Sequence, residues 1–242
     1  MTKDAKTVVV TGVTSGIGLA TTRALVLKGY RVIGLGRHHD RLNQLRSELG
    51  ESFTPIVVDL SDLCALRACQ VTLEAVCPSV FGFVSNAAEC AYQSVLELPI
   101  EQLARMLTVN VVAPIALAQS LVSRLLPGGS LVHISSITAR QLPGAKFAAY
   151  SATKVAMDTL IDALRLELAP RQIRVATLTP GLVDTPIYDK VNGFDGARKK
   201  LTQQVPEWLR PEDIAAAILF VLTQPPQVNI QDLVITPTLQ AR

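Results

Sequence analysis

Seven short runs rich in β-branched residues, at 7–11, 31–35, 54–59, 81–85, 130–135, 174–179 and 232–236, recur along the 242-residue chain with helix-length segments between them. Parallel neighbours in a sheet cannot be joined by a tight turn and need a crossover, normally a helix, so this alternation predicts an α/β fold. The expected form is a doubly wound parallel sheet of about seven strands with helices on both faces. A chain of this length is commonly one domain, and residues 1–242 are read as one. Apolar residues make up 49% of it, yet the longest uninterrupted apolar run, 214–222, has nine residues. That is too short to cross a hydrocarbon layer of about 30 Å, so no membrane partner is expected. The apolar excess must enter a core buried on both sheet faces and contacts between subunits, which predicts a homo-oligomer, dimer or tetramer.

Charge excludes other classes. With 23 basic against 20 acidic residues and no run of five like charges, nothing in the chain suggests nucleic-acid binding. Cys64, Cys69, Cys77 and Cys90 form no C-x-x-C pair and have no histidines clustered near them, so buried free thiols are expected and no metal site. A charged N-terminus running straight into a strand, together with these thiols, points to a cytoplasmic protein.

The first strand, Val8-Val9-Val10-Thr11, leads at once into Gly12-Val13-Thr14-Ser15-Gly16-Ile17-Gly18 and an apolar helix at 17–28. In a strand–turn–helix unit, Gly12 permits the tight turn, Gly16 lets backbone approach a pyrophosphate, and Gly18 lets helix pack on strand. The helix N-terminus then faces the phosphates, with Thr14, Ser15 and Ile17 completing the turn. The second strand ends at Gly36-Arg37 with no carboxylate. An acidic residue there accepts from the ribose 2′-hydroxyl of NAD, whereas Arg37 suits the 2′-phosphate of NADP, with His38 beside it. NADP(H) is therefore the expected cofactor. Asp59 at the end of the third strand, followed by Leu60, is placed either to accept from the adenine amine or to cap the next helix.

Tyr150-Ser151-Ala152-Thr153-Lys154 opens a helix running to Leu168 and puts tyrosine and lysine on one helical face. A phenol titrating near ~10 is poorly matched to proton transfer at neutral pH, and a neighbouring ammonium favours its ionised form. Ser136 ends the fifth strand, at the sheet edge where ligands of open α/β folds bind. With Thr11-Gly12-x-x-x-Gly16-x-Gly18, Asn86-Ala87, Asn110, Ser136, Tyr150-x-x-x-Lys154 and Pro180-Gly181 in order, the chain resembles the compact branch of the short-chain dehydrogenase/reductase family from Thr7 to about Thr238.

That resemblance implies a Rossmann-type sheet and an oxidoreductase of CH–OH donors acting on a small carbonyl or alcohol. It implies that Tyr150 is the acid/base, that Lys154 binds the nicotinamide ribose and lowers the tyrosine pKa, that Ser136 orients substrate, and that Asn110 holds a water. Asn86 and Ala87 would lie along the cofactor; Pro180, Gly181, Val183 and Thr185 would hold its carboxamide end. The chain departs from the family at Ala88, where glycine is usual, and in a Ser136–Tyr150 gap one residue longer than common. A non-enzymatic NADP-sensing protein on this fold would be expected to lose Tyr150 or Lys154, and both are present.

Substrate is less constrained. The segments 36–42 and 228–238 resemble bacterial NADP-dependent serine and 3-hydroxy acid dehydrogenases, and a carboxylate would want a cation such as Arg140, Lys146, Lys190 or Arg198. Residues 182–210 have the irregular composition of a substrate lid and carry Tyr188, Phe194 and Trp208, which suits a bulkier ketone or aldehyde. Resemblance also places an oligomer interface on the Tyr150 helix, through Ala156, Leu160, Ala163 and Leu164, and on a preceding helix at 103–125.

Overall fold

The computed structural model describes residues 5–191 and 193–240. Strands β1 (Thr7–Thr11), β2 (Arg31–Gly36), β3 (Phe53–Val57), β4 (Val80–Ser85), β5 (Leu125–Ile134), β6 (Arg174–Pro180) and β7 (Asp232–Ile235) form one sheet in the order β3-β2-β1-β4-β5-β6-β7. Every pairing is parallel. This is the doubly wound Rossmann-type α/β sheet expected from the strand–helix alternation.

Alternation along each strand feeds two cores. Val9, Leu131 and Val175 point to one face, where they meet Leu73, Leu117 and Met157 of α3 (Leu63–Val76), α5 (Ala113–Val122) and α7 (Ala148–Leu168). Val8, Val10, Val132 and Ala176 point to the other and meet Leu25, Leu42 and Ile218 of α1 (Gly16–Leu27), α2 (His39–Leu49) and α9 (Pro211–Thr223). A strand buried on both sides is apolar throughout, which is why these runs lack the polar alternation of a half-exposed sheet. Gly34 on β2 is fixed by packing, since a Cβ there would collide with the Phe53 ring.

Several boundaries differ from the sequence expectation. The helix expected at 103–125 begins earlier, as α4 (Ile100–Leu107), passes through a π-helical turn at Thr108–Val112 and ends as α5 at Val122. Leu125 belongs instead to β5, which starts five residues before Ser130 and is offset from β4 between Val80 and Gly82, with Gly128 at φ +76°. The Pro-Gly-Gly sequence at 127–129 supplies the irregularity that a regular strand would not tolerate. β3 starts at Phe53, and Pro55 is accommodated because β3 is an edge strand. By length and composition Ile100–Val122 would be long and apolar enough to span a bilayer, but Met106, Val109, Ala113, Leu117 and Leu121 bury one side of it in the protein interior.

Arg174 ties the sheet to its last long helix. Buried at the start of β6, its guanidinium donates to the carbonyls of Val221 (2.8 Å) and Leu222 (3.0 Å) at the end of α9, and of Gly128 (3.1 Å) in the β5 irregularity. Val221 and Leu222 lie in the last turn of α9, where carbonyls run short of backbone partners and only a long 3.5 Å bond from Gln224 N–H reaches Val221 O, so a cation there serves both their hydrogen bonding and the negative end of the helix dipole. Arg174→Leu is expected to lower stability by about 3 kcal/mol, the loss of charged hydrogen bonds to buried carbonyls, seen as a lower urea midpoint at unchanged m-value.

Candidate active site

The strand order reverses between β1 and β4, and open α/β sheets bind ligands in the crevice at the carboxyl ends of strands beside such a reversal. Thr11, Ser85, Ile134 and Pro180 end their strands along this edge. Gly12 and Gly16 adopt φ of +73° and +51°, a region that favours glycine, and Gly12 N–H donates to Leu35 O at 2.8 Å. A Cβ on Gly18 would strike the Gly12 carbonyl, while one on Gly16 would meet Thr185 at 3.1 Å. The turn therefore packs Gly18 against β1 and brings Gly16 opposite Thr185. α1 starts here with no side-chain cap on Ser15 and no acidic residue in its first turn. Its first N–H groups lack side-chain partners, a ready anion site, so the turn fits a dinucleotide pyrophosphate.

Asn86 and Ala87, expected along the cofactor, join two strand ends at this edge. The Asn86 side-chain amide donates to Thr11 O at 2.9 Å, and the Asn86 and Ala87 N–H groups both donate to the Thr11 hydroxyl at 2.9 Å. The pair fastens the end of β4 to the end of β1. Asp59 does not cap α3: Asp62 does, accepting from Cys64 N–H and Ala65 N–H, while Asp59 accepts from the Ser61 N–H and hydroxyl. That hydrogen bonding, with Arg105 and Arg37 nearby, outweighs burial and lowers the Asp59 pKa. Arg37 is half-exposed, and its Nη1 lies 3.3 Å from Glu89.

Asn110 sits in the π-helical turn and is almost wholly buried. It does not bond its own helix. Its Oδ1 accepts from Glu89 N–H (2.8 Å), and its Nδ2 donates to Glu89 O (2.8 Å) and to the Thr153 hydroxyl (2.9 Å). Thr153 in turn donates to Tyr150 O at 2.7 Å, so Asn110 is one bond from the first turn of α7. π turns recur at functional sites because the extra residue re-aims a side chain, and here Asn110 is the side chain re-aimed.

On α7, Tyr150 and Lys154 are both buried, with the Lys154 ammonium 5.8 Å from the Tyr150 ring centre. Lys154 donates to Ile134 O at the end of β5 (2.8 Å). Burial draws its pKa down to about 8, against the opposing charges of Asp158 and Cys90. Burial pushes the Tyr150 phenol well above its ordinary value, reinforced by Cys90 and Tyr188 and opposed by a hydrogen bond with Ser136. The lowering expected from Lys154 is not seen; desolvation sets the direction of the shift. Ser136 heads α6 (Ile137–Arg140), accepting from Thr138 N–H at 3.2 Å, and the longer loop to Tyr150 closes through a 3₁₀ turn at Ala145–Phe147.

The segment 182–210 folds over this edge. It holds a 3₁₀ turn at Tyr188–Lys190 and α8 (Asp195–Gln204), and its two ends are stitched by Leu209 N–H to Leu182 O (3.0 Å) and Asp184 N–H to Leu209 O (2.8 Å). Val183 bridges Leu209, and Gly181, following Pro180, donates its N–H to Ile235 O at 2.7 Å. Phe194 is fully buried, stacked on Tyr188 at 4.7 Å and edge-on to Tyr92 and Phe147 at 5.3 and 5.7 Å. Of the cations considered for a carboxylate, Arg198 is paired to both Asp184 (2.9 Å) and Asp189 (2.7 Å), Arg140 pairs with Asp232, and Lys146 lies over Tyr92. The Lys190 side chain lies outside the described part of the structure.

Sequence reading missed Glu89, Arg105 and Asp158. Asp158 stands one turn beyond Lys154, accepting from Ser135 Oγ at 2.9 Å, and its i+8 spacing from Tyr150 was a usable signal. Among the cysteines only Cys69 and Cys77 are buried as expected; Cys64 is exposed, and half-buried Cys90 flanks Tyr150 with its thiol pushed up to about 12 by burial. Among the described residues no cluster could hold a metal ion.

Comparison with known proteins agrees with this geometry. The family model for short chain dehydrogenase matches residues 6–195. An uncharacterized oxidoreductase of Staphylococcus haemolyticus is 33% identical over 236 residues, spanning 95% of this chain and 96% of its own. A probable NADP-dependent dehydrogenase of Haemophilus influenzae is 31% identical over 240 residues, spanning 97% and 94%. Among solved structures, the closed form of serine dehydrogenase complexed with NADP+ superposes with a TM-score of 0.88 at 28% identity, covering 98% and 96% of the two chains. With its glycine turn, serine, tyrosine and lysine gathered at one sheet edge and relatives matching it nearly end to end, the chain belongs to the short-chain dehydrogenase/reductase family of oxidoreductases.

Proposed function

We propose that this chain is a single-domain, cytoplasmic NADP(H)-dependent oxidoreductase interconverting a carbonyl compound and its alcohol, with Tyr150 as the acid/base. One observation carries the reading: Tyr150 and the Lys154 ammonium are buried together on α7, with Lys154 bonded to the end of the strand that Ser136 follows, at the sheet edge where α1 begins uncapped. The glycine turn 12–18 would take the pyrophosphate and Arg37 with His38 the 2′-phosphate, while Asp59 and Leu60 would flank the adenine. Pro180, Gly181, Val183 and Thr185 would lie along the nicotinamide end. The similar serine dehydrogenase holds NADP+, which supports the same cofactor here.

A nicotinamide held there would supply hydride to the carbonyl carbon or accept it from the alcohol carbon. Ser136 and Tyr150 donate hydrogen bonds to the substrate oxygen, which develops negative charge during reduction. Tyr150 passes its proton to that oxygen, and the resulting phenolate faces the Lys154 ammonium, held in place by the Ile134 carbonyl. Asn110, clamped between Glu89 and Thr153, keeps the first turn of α7 in register with the β4 edge. Tyr150→Phe is expected to lower kcat by about 10²–10⁴ while NADPH binding persists, followed by reduced-nicotinamide absorbance and fluorescence.

Lys154 is charged below about 8 and neutral above it. Losing that charge removes stabilisation of the phenolate, so kcat for carbonyl reduction is expected to hold near neutrality and fall as pH rises through about 8. A pH–rate profile with no decline on the alkaline side would contradict the assignment.

The lid favours a neutral, partly apolar carbonyl compound, because Arg198 is neutralised by two aspartates and aromatic rings dominate the segment. The likeness to serine dehydrogenase supports a second reading, a small 3-hydroxy acid. Parallel assays with aromatic ketones and 3-hydroxybutyrate separate the two: turnover of ketones alone is expected, and turnover of hydroxy acids alone would reverse the preference. A homo-oligomer is proposed from the α7 face expected to form the interface, where Ala156, Leu160 and Ala163 are exposed and Leu164 is half-buried. Sedimentation velocity is expected to give a dimer or tetramer, and a monomer at micromolar concentration would overturn it.

A further inference from the structure

Four charged side chains from four parts of the chain meet at the adenosine end of the crevice. Arg37 follows β2, Asp59 follows β3, Glu89 follows β4, and Arg105 stands on α4. Arg105 grips Glu89 closely, Nε to its two carboxylate oxygens at 2.9 and 3.0 Å and Nη2 at 2.9 Å, and reaches Asp59 at 3.5 Å. Arg37 makes one longer contact with the same carboxylate, at 3.3 Å. Glu89 is thus held by one arginine and merely touched by the other.

We infer that Glu89 is an internal competitor for Arg37, an anion built into the chain that a 2′-phosphorylated adenosine must displace, and that it thereby sets the strength of NADPH selection. The inference rests on the NADP(H) reading, which places the 2′-phosphate at the end of the second strand beside Arg37. The two arginines and two carboxylates balance to zero. A 2′-phosphate entering beside them must take Arg37 from Glu89, which stays anchored to Arg105. Giving up the half-exposed Arg37–Glu89 contact is a cost that a phosphorylated ribose meets and an unphosphorylated one does not. Arg105 keeps Glu89 neutralised when Arg37 turns to the phosphate, which makes the exchange feasible without stranding a charge. The backbone of Glu89 is separately clamped by Asn110, so replacing its side chain leaves the catalytic geometry intact.

The test is a double-mutant cycle read as dissociation constants of NADPH and NADH, from the fluorescence of the reduced nicotinamide on the purified protein. Glu89→Gln, nearly isosteric, is expected to tighten NADPH roughly three- to fivefold and leave NADH unchanged, the fold-change of an exposed ion pair. In an Arg37→Gln background the same substitution is expected to change NADPH binding by less than about twofold, because the contested cation is gone. Weaker or unaltered NADPH binding in Glu89→Gln, equal shifts for both nucleotides, or a full effect without Arg37 would each overturn the inference while leaving the NADP(H) reading standing, provided wild type prefers NADPH. A wild type that binds NADH as tightly as NADPH would overturn both. Should Glu89→Gln disturb folding, seen as a lowered Tm, Glu89→Asp keeps the charge but shortens its reach to Arg37; it is expected to tighten NADPH selectively, and an unchanged NADPH-to-NADH ratio would count against the inference.

Discussion

A buried ammonium ion organises this protein. Lys154 lies out of water on the inner side of α7, and an isolated charge in such a place would cost an amount comparable to the whole stability of a typical domain, so the fold must supply partners from several directions. The Ile134 carbonyl at the end of β5 accepts one of its hydrogen bonds, and Asp158 one turn along α7 supplies opposing charge. These contacts exist only when β5 has its register, when α7 begins at Ala148, and when the helix side chains at 150, 154 and 158 share a face. The position of one nitrogen atom therefore depends on the correct packing of a strand from the middle of the sheet and a helix that crosses it.

The same logic explains why the site lies at the strand ends and not in the sheet. The interior of the sheet is filled on both faces by aliphatic side chains, and backbone amides there are consumed by the ladder. Polar chemistry becomes possible where strands stop: Thr11 spends its hydroxyl and carbonyl on Asn86 and Ala87, and Ser136 begins a new helical turn. Asn86, Asn110 and Thr153 act as connectors between elements far apart in sequence, and their polarity is tolerated in the interior because every one of them has a partner.

Much of this was legible from the chain alone. The seven strands follow from β-branched runs, because a doubly buried strand has little freedom in composition. The glycine turn, Ser136, Tyr150 and Lys154 follow from spacing that only one local geometry satisfies. What escaped reading depends on distances between elements. Glu89 and Arg105 are sixteen positions apart, and neither carries a local signature; only the approach of α4 to the β4 edge brings them to Asp59 and Arg37. The π turn was invisible for a similar reason, since its apolar and polar pattern fits an ordinary helix and the extra residue is paid for by the tertiary bonds of Asn110. The direction of the Tyr150 shift also could not be inferred from its lysine neighbour, because desolvation is a property of the folded surroundings.

The segment 182–210 is closed on itself at both ends. Backbone bonds between Leu182, Asp184 and Leu209 pinch its base, Gln240 Oε1 accepts from Leu182 N–H at 2.8 Å, and Arg198 straps Asp184 to Asp189 within it. These bonds tie the described parts of the segment to one base, and the Tyr188–Phe194 stack forms an aromatic patch on it. Phe194 fastens that patch edge-on to Tyr92 and Phe147, so the seating of the whole segment on the body of the protein depends on a few ring contacts, and a change to any one of those rings acts on the segment as a unit.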